Sequence, residues 1–319
     1  MKNILVTGGA GFIGSNLVDL LLEDPLIKIT SLDNIDSFYD LSIKRRNIEN
    51  QFKKTNFKFI EADISNLQEI EAKIADNYDA IIHLAAKVGV RSSVLEPLRY
   101  TKVNILGTQN LLETARKRGC KKFIFASSSS VYGVNPNTPW KEDDHLLLPA
   151  NPYALTKISG ELMGQVYSNL FGLQFIALRL FTVYGPRQRP DLAIHKFANL
   201  ISQGKPIQLY GDGESKRDYT YIDDIIMGFK AALDYSSSQY EIINLGSNKP
   251  IKLIKLIFLL EKVFKRKAKI KKMSDQPGDL PLTFADIKKA EKLLGYQPKT
   301  DIQNGLQKFS DWFRTYNIY

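Results

Sequence analysis

The chain is poor in the residues that build cross-links and metal centres. Its single cysteine, Cys120, excludes an internal disulfide and any cysteine-built metal site. The only histidines are His83, His145 and His195, which are too scattered for metal-ligand spacing, so no metal is expected. His83 closes an apolar run and reads as a packed residue. No run of 18 apolar residues is present, which argues against a membrane-spanning helix. Strand-like residues begin at position 3, so no secretory leader is expected, and the protein should be soluble and cytoplasmic. Repeats and low-complexity tracts are missing too. Acidic residues are in the minority, 34 against 44 Lys and Arg, and the net charge is +10. Much of that excess lies in 252–272, where nine Lys or Arg face one acid, Glu261. Aromatics do not interleave there in a groove-like pattern. The stretch therefore reads as a solvated helix and strand, not a nucleic-acid surface.

What the chain does have is a globular composition and two local signatures. Its 319 residues, 44% of them hydrophobic, suffice for one large or two modest domains. The first signature follows a short apolar strand at 2–6. Thr7-Gly8-Gly9-Ala10-Gly11-Phe12-Ile13-Gly14 places glycines at 8, 11 and 14. Gly8 suits a tight turn, Gly11 lets backbone approach a pyrophosphate, and Gly14 lets a helix pack on the strand. The helix N-terminus would then face the phosphates. The next strand ends at Asp33, 19 residues after Gly14, near the spacing of an acid that holds an adenosine ribose. An acid there favours NAD over NADP by repelling a 2′-phosphate. Lys44, Arg45 and Arg46 fall well into the following helix and are expected to be solvated.

The second signature is Asn151-Pro152-Tyr153-Ala154-Leu155-Thr156-Lys157. Asn151 is a good N-cap and Pro152 a good first helical residue. Tyr153 and Lys157 are then i and i+4 on one face. A tyrosine with a pKa of about 10 is a poor base at neutral pH. A lysine ammonium one turn away is expected to lower that pKa, which suits removal of a hydroxyl proton while a hydride moves.

Between these signatures the pattern alternates. Strands are expected at 2–6, 27–32, 57–61, 79–83, 121–126 and 174–180. Helices are expected at about 11–23, 42–54, 66–75, 99–118 and 152–171. This order predicts an α/β fold, a Rossmann-like doubly wound parallel sheet. After about residue 181 the pattern becomes irregular, with strands at 207–210, 217–221 and 241–245. Helices follow at 192–203, 222–235, 252–264, 286–294 and 302–315. The expected division is a nucleotide-binding domain at 1–181, to which 222–245 returns. A smaller C-terminal α/β substrate lobe takes 182–221 and 246–319. The long polar loop 127–150 reads as an active-site loop.

With these parts placed, the chain resembles the extended short-chain dehydrogenase/reductases, the NAD-dependent sugar-nucleotide epimerase/dehydratase family. The resemblance spans nearly the whole length. It rests on the glycine motif, His83-Leu84-Ala85-Ala86, Ser127-Ser128-Ser129-Ser130-Val131-Tyr132-Gly133, Tyr153 with Lys157, and Arg217-Asp218-Tyr219. It implies catalysis by Tyr153, Lys157 and Ser128. It implies NAD contacts from Gly8, Gly11, Phe12, Ile13, Gly14, Asp33, Asn34, Asp63 and Ile64. Leu84, Ala85, Ala86, Lys87, Asn104, Ser127, Tyr153 and Lys157 would complete that site, with Asn104 bracing the active-site helices. Dimerisation through the helices at 99–118 and 152–171 is the family habit.

Within the family, dehydratases and decarboxylases carry an acid between the catalytic Ser or Thr and Val-Tyr-Gly. Here Ser129 and Ser130 stand there. Dehydration needs an acid for the departing hydroxyl, so epimerisation is favoured. Leu180-Phe181-Thr182-Val183-Tyr184-Gly185-Pro186-Arg187-Gln188-Arg189-Pro190-Asp191, Lys87-Val88-Gly89-Val90-Arg91 and Gln276-Pro277-Gly278-Asp279 resemble the UDP-glucuronate 4-epimerase subgroup. The implied activity is NAD-dependent 4-epimerisation of a UDP-uronic acid through a transient 4-keto sugar. The implied substrate contacts are Val90, Arg91, Ser128, Ser129, Ser130, Thr182, Arg189, Gln208, Arg217 and Asp279. Alternatives are 4-epimerisation of UDP-glucose, UDP-N-acetylglucosamine or an N-acetylated UDP-uronate. A remote one is a non-catalytic NAD-binding regulator. Neither a nucleic acid nor a membrane partner is expected.

Overall fold

Runs such as Ala80-Ile81-Ile82 and Phe123-Ile124-Phe125 are apolar on both sides, which suits strands covered on both faces. In the computed structural model, which describes residues 2–274 and 280–316, these runs lie at the centre of a parallel sheet. Its strands are β1 (Lys2–Thr7), β2 (Ile27–Asp33), β3 (Phe57–Glu61), β4 (Ala80–His83), β5 (Lys122–Ser128) and β6 (Gln174–Leu180). A seventh member, β10 (Tyr240–Leu245), pairs with β6, giving the order β10-β6-β5-β4-β1-β2-β3. The chain reverses direction across the sheet between β1 and β4, the crevice where open α/β sheets bind ligands.

Helices cover both faces. On one side lie α1 (Phe12–Leu21) and α9 (Ile222–Asp234), whose Leu17, Val18, Ile225 and Phe229 meet Ile4, Val6, Ile124 and Ile176. On the other lie α3 (Leu67–Lys73), α6 (Gly107–Lys117) and α7 (Pro152–Phe171), packed on Leu5, Ile81, Phe123, Phe125 and Phe175. Alternate strand residues thus feed two separate cores.

The rest of the chain sits beyond the C-terminal strand ends. It comprises β7 (Thr182–Tyr184), α8 (Ala193–Gln203), β8 (Pro206–Tyr210), β9 (Lys216–Tyr221), β11 (Pro250–Lys252), α10 (Leu253–Phe264), β12 (Lys269–Met273), α11 (Lys288–Leu294) and α12 (Ile302–Tyr316). It forms a three-stranded sheet, β11-β9-β7, and a parallel pair, β12-β8. Among the described residues no helix is long and apolar enough to cross a membrane.

Some elements differ from expectation. The helix expected at 42–54 is α2 (Leu41–Ile48) followed by a 3-10 turn, Gln51–Lys53. Buried Gln51 bonds the Ser15 carbonyl and Asp19, which pulls the chain toward α1 and ends the helix. The helix expected at 99–118 runs unbroken through α5 (Pro97–Tyr100), a π-helical segment Thr101–Leu106, and α6. Asn104 sits in the π-helical segment and turns inward to Lys87 and Thr156, a common use of such segments. The helix α4 (Val90–Leu95) and the strands β7, β11 and β12 add to the expected elements. β7 and β11 are three residues each, too short for a period to register.

Candidate active site

α7 carries both Tyr153 and Lys157. Asn151 caps it, its Oδ1 accepting the Ala154 N–H at 3.0 Å, and Pro152 is the first helical residue. Gly160 and Gly164 let the helix lie against β5 and β6. A Cβ on either would fall 2.2–2.3 Å from the rings of Phe125 or Phe175. That close seating puts Tyr153 and Lys157 at the C-terminal end of β5. Lys157 Nζ donates to the Ala126 carbonyl at 2.7 Å and lies 5.8 Å from the centre of the Tyr153 ring. Ser128 lies close enough to Tyr153 to favour its phenolate, and Ser128 Oγ accepts from the Ser130 N–H at 3.2 Å and the Ser130 hydroxyl at 2.9 Å. One turn further on, buried Glu161 accepts from Ser127 Oγ at 2.5 Å and holds Arg179 through two bonds of 2.8 and 2.9 Å.

The acidity of this pair corrects the sequence expectation. Tyr153 is pushed above its usual range, because burial outweighs the Ser128 hydrogen bond and the Arg189 charge that favour the phenolate. Burial also draws Lys157 down to about 7, against the pull of Glu161. The groups that help Tyr153 ionise are thus Ser128 and Arg189. His83 is buried between Thr7 Oγ1 and Thr108 Oγ1, and burial lowers it to about 3, so it is neutral.

These side chains open onto a cleft of about 480 Å³. Gly8, Gly11, Phe12, Ile13 and Gly14 line its floor. At Gly14 a Cβ would fall 2.2 Å from the Gly8 carbonyl oxygen, so only glycine seats α1 here. No side chain caps α1, which leaves its first N–H groups to bind an anion. Asp33, Asn34 and Ile64 line one end, Leu84, Ala85, Ala86 and Lys87 the middle, and Ser127, Ser128, Ser129, Ser130, Tyr153 and Lys157 the other. A glycine turn, an uncapped helix and an acid at the far end fit an NAD molecule laid across β2, β1 and β4.

Lys44 is the exception to the expected solvated basic run. Arg45 and Arg46 are exposed, but Lys44 is buried in the cleft wall with Nζ 3.1 Å from Asp33 Oδ1. Asp33 itself is buried and also accepts from the Ala10 and Ile35 N–H groups. A buried carboxylate needs a counter-charge, and the first turns of α2 fold back to supply it. The acid expected to repel a 2′-phosphate therefore has an ammonium beside it.

Thr182, Val90 and Arg189 line the sugar end. The Arg189 side chain is only 15% exposed and is gripped by Asp191 through bonds of 2.9 and 2.6 Å. The other candidates lie outside the cleft lining. Asp63, next to Ala62 and Ile64, accepts from Ser65 and Asn34. Asn104 braces the Lys87 backbone and Thr156 from behind. The Arg91 guanidinium is 5.5 Å from the Tyr210 ring centre, and Gln208 accepts from Tyr210. Arg217 donates to the Lys216 carbonyl. Asp279, with Gln276 to Gly278, lies outside the described residues. Sequence reasoning missed Asp36, Phe38 and Tyr39, which line the cleft from the loop after β2. That loop has no period, so only its position after a nucleotide-binding strand could have flagged it.

Comparisons with known proteins agree with this geometry. The family model described as GDP-mannose 4,6 dehydratase matches residues 5–309. A UDP-glucuronate 4-epimerase of Thermodesulfobacterium geofontis (strain OPF15) is 43% identical over 316 residues, 98% of this chain and 96% of that one. Among solved structures, the UDP-glucuronic acid 4-epimerase of Bacillus cereus, in complex with UDP-glucuronic acid and NAD, superposes with a TM-score of 0.91. It is 37% identical, over 98% of this chain and 99% of that one. A UDP-N-acetylglucosamine 4-epimerase of Methanobrevibacter ruminantium M1, in complex with UDP-N-acetylmuramic acid, gives 0.89 at 34% identity, covering 98% of each.

Proposed function

The chain belongs to the extended short-chain dehydrogenase/reductase family of sugar-nucleotide epimerases and dehydratases, and on that premise we propose that it is an NAD-dependent 4-epimerase interconverting UDP-glucuronate and UDP-galacturonate. The observation that carries this reading is the cleft wall after β5. Ser128 stands beside Tyr153 and favours its phenolate, Lys157 Nζ lies 5.8 Å from the ring centre, and only Ser129 and Ser130 separate Ser128 from Val131. A hydroxyl can be deprotonated there, yet no carboxylic acid stands between Ser128 and Val131 to expel one.

When bound, NAD would be held by the glycine turn, Asp33 and Lys157 and would supply the reversible oxidation at C4. The chain's own residues manage the proton and the pose. Tyr153, as phenolate, accepts the O4 proton and later gives it back. Ser128 donates to the same oxygen and supports the phenolate. Lys157, beside the Tyr153 ring and bonded to the Ala126 carbonyl, is placed to hold the nicotinamide ribose. A 4-keto uronate loses carbon dioxide readily when its carboxylate bond stands perpendicular to the carbonyl plane. Thr182, Ser129 and Ser130 offer hydroxyls that hold the carboxylate out of that geometry, and Arg189 adds a charged donor. By family analogy, Gln208, Arg217 and Asp279 hold the UDP portion from the lobe formed by 182–221 and 246–319, and Arg91 contacts the substrate from the NAD-binding domain at 1–181 with 222–245.

The pairing of Arg189 with Asp191 supports a second reading, since a guanidinium whose charge is already matched by a carboxylate has less to offer another. In that reading the substrate is UDP-glucose or UDP-N-acetylglucosamine. Incubating the purified protein with UDP-glucuronate, without added NAD, and separating the products by anion exchange tests the choice. A UDP-galacturonate peak with little UDP-pentose supports the uronate reading. Conversion of UDP-glucose alone overturns it.

We also propose a homodimer, supported by the exposed Leu155, Leu162, Val166 and Leu170 of α7 beside Leu95 and Leu98.

A further inference from the structure

An epimerase of this kind has a retention problem. Between the two hydride transfers the sugar is a ketone and the cofactor is reduced, so loss of the cofactor at that point strands the enzyme with a product it cannot finish. The loop after β2 bears on this problem. It leaves Asp33 through Ile35, which takes a left-handed conformation (φ 47°) rare for a β-branched residue. The Ile35 side chain is buried against Ala10 and Ile48, which pins the loop to the glycine turn. Asp36 then reaches across the cleft. Its Oδ1 accepts from Lys87 Nζ at 2.7 Å and its Oδ2 from Arg99 at 3.1 Å. Lys87 follows β4 and Arg99 lies on α5, so neither belongs to the same side of the cleft as Asp36. Phe38 adds a second tie, with Lys87 Nζ and the Arg189 guanidinium each 5.6 Å from its ring centre.

Sheet order gives these contacts their meaning. β2 and β4 flank β1, so a bond between the loops that follow them crosses the C-terminal end of β1. That is where the glycine turn and the uncapped start of α1 face the cleft. The Asp36–Lys87 pair is largely buried, with side chains 19% and 9% exposed, so water and salt screen it weakly. Burial alone would raise the Asp36 carboxyl, but the hydrogen bond and charge of Lys87, the Phe38 N–H and Arg99 hold it below the usual range.

We propose that segment 34–40 is a clasp over the pyrophosphate of the dinucleotide, closed by Asp36 on Lys87 and Arg99, and that it keeps the cofactor on the enzyme through both hydride transfers. Asp36 and Arg99 are then positioning residues that touch neither sugar nor nicotinamide. The inference rests on the epimerase reading and deepens its cofactor site.

The test compares wild type, D36N and D36E after desalting, measuring bound NAD by acid release and chromatography and its half-life on the protein in NAD-free buffer. Wild type is expected to hold NAD. D36N is expected to release it about tenfold faster or more, the loss of one charge-assisted bond, while excess NAD restores its turnover of UDP-glucuronate. D36E, which keeps the charge, is expected to release it at an intermediate rate. Equal half-lives in wild type and D36N overturn the clasp, as does a D36E that loses NAD as fast as D36N. A wild type that sheds NAD but epimerises when NAD is added overturns the clasp alone; one that never epimerises overturns the epimerase reading as well. Should D36N fail to fold, R99Q decides, a shorter half-life supporting the clasp and an unchanged one overturning it.

Discussion

In the proposed reaction Tyr153 must ionise, yet its burial opposes ionisation. Ser128 and Arg189 oppose that penalty, so either substitution has a predictable sign. Removing the Ser128 hydroxyl withdraws a bond that favours the phenolate and raises the Tyr153 pKa. In S128A the acid limb of the kcat profile should therefore move to higher pH. A limb displaced by about one pH unit lowers the rate at neutral pH by about tenfold. A profile that drops in height without moving would show that Ser128 serves only to orient the sugar. Asp33 illustrates the limits of reading single residues. Its spacing from Gly14 was visible in the sequence, but its partner Lys44 was not, because ten residues of intervening loop and helix decide whether that lysine points inward.

At the scale of the element, α7 does two jobs on two faces. Toward the sheet it presents Tyr153, Lys157 and Glu161 in successive turns, seated by Gly160 and Gly164. The Glu161–Arg179 pair beneath it is nearly inaccessible, and removing one partner from such a pair costs about 3–5 kcal/mol. Away from the sheet, Leu155, Leu162, Val166 and Leu170 form an exposed apolar stripe, with Leu162 57% and Leu170 69% exposed. Apolar side chains gathered on one helix face suit a partner surface. A charge placed there should separate the subunits. In sedimentation velocity, wild type is expected to run as a dimer and L162E as a monomer with unchanged secondary structure. A wild type that is monomeric at micromolar concentration would remove the dimer.

For the molecule as a whole, the charge distribution matters more than its total. The strand β12 exposes Lys269, Lys271 and Lys272, and Lys271 pairs in register with Gln208 on β8. A positive rim of this kind attracts a nucleotide sugar, and a uronate carries one negative charge more than its neutral counterpart. The Debye length shrinks from about 30 Å at 0.01 M to about 8 Å at 0.15 M ionic strength. Raising salt should therefore lower kcat/KM more steeply for UDP-glucuronate than for UDP-glucose, with kcat little changed. Equal slopes for the two substrates would show that the rim does not contribute to capture.

Sequence alone determined what depends on neighbours along the chain. The alternation of apolar runs with helical periods predicted the doubly wound sheet, and strand, glycine turn and helix marked the nucleotide end. Asn151-Pro152 started α7 and thereby stacked Tyr153 over Lys157. Tertiary structure decided what depends on residues far apart. It put a π-helical segment into the helix expected at 99–118 where Asn104 turns inward to Lys87 and Thr156, set Lys44 on Asp33, and joined Asp36 to Lys87 and Arg99. It also raised Tyr153 rather than lowering it. The physical reason is common to all of these. Helix starts and turns follow from backbone stereochemistry within a few residues, whereas burial and charge pairing depend on which loops the sheet order brings to one end of the strands.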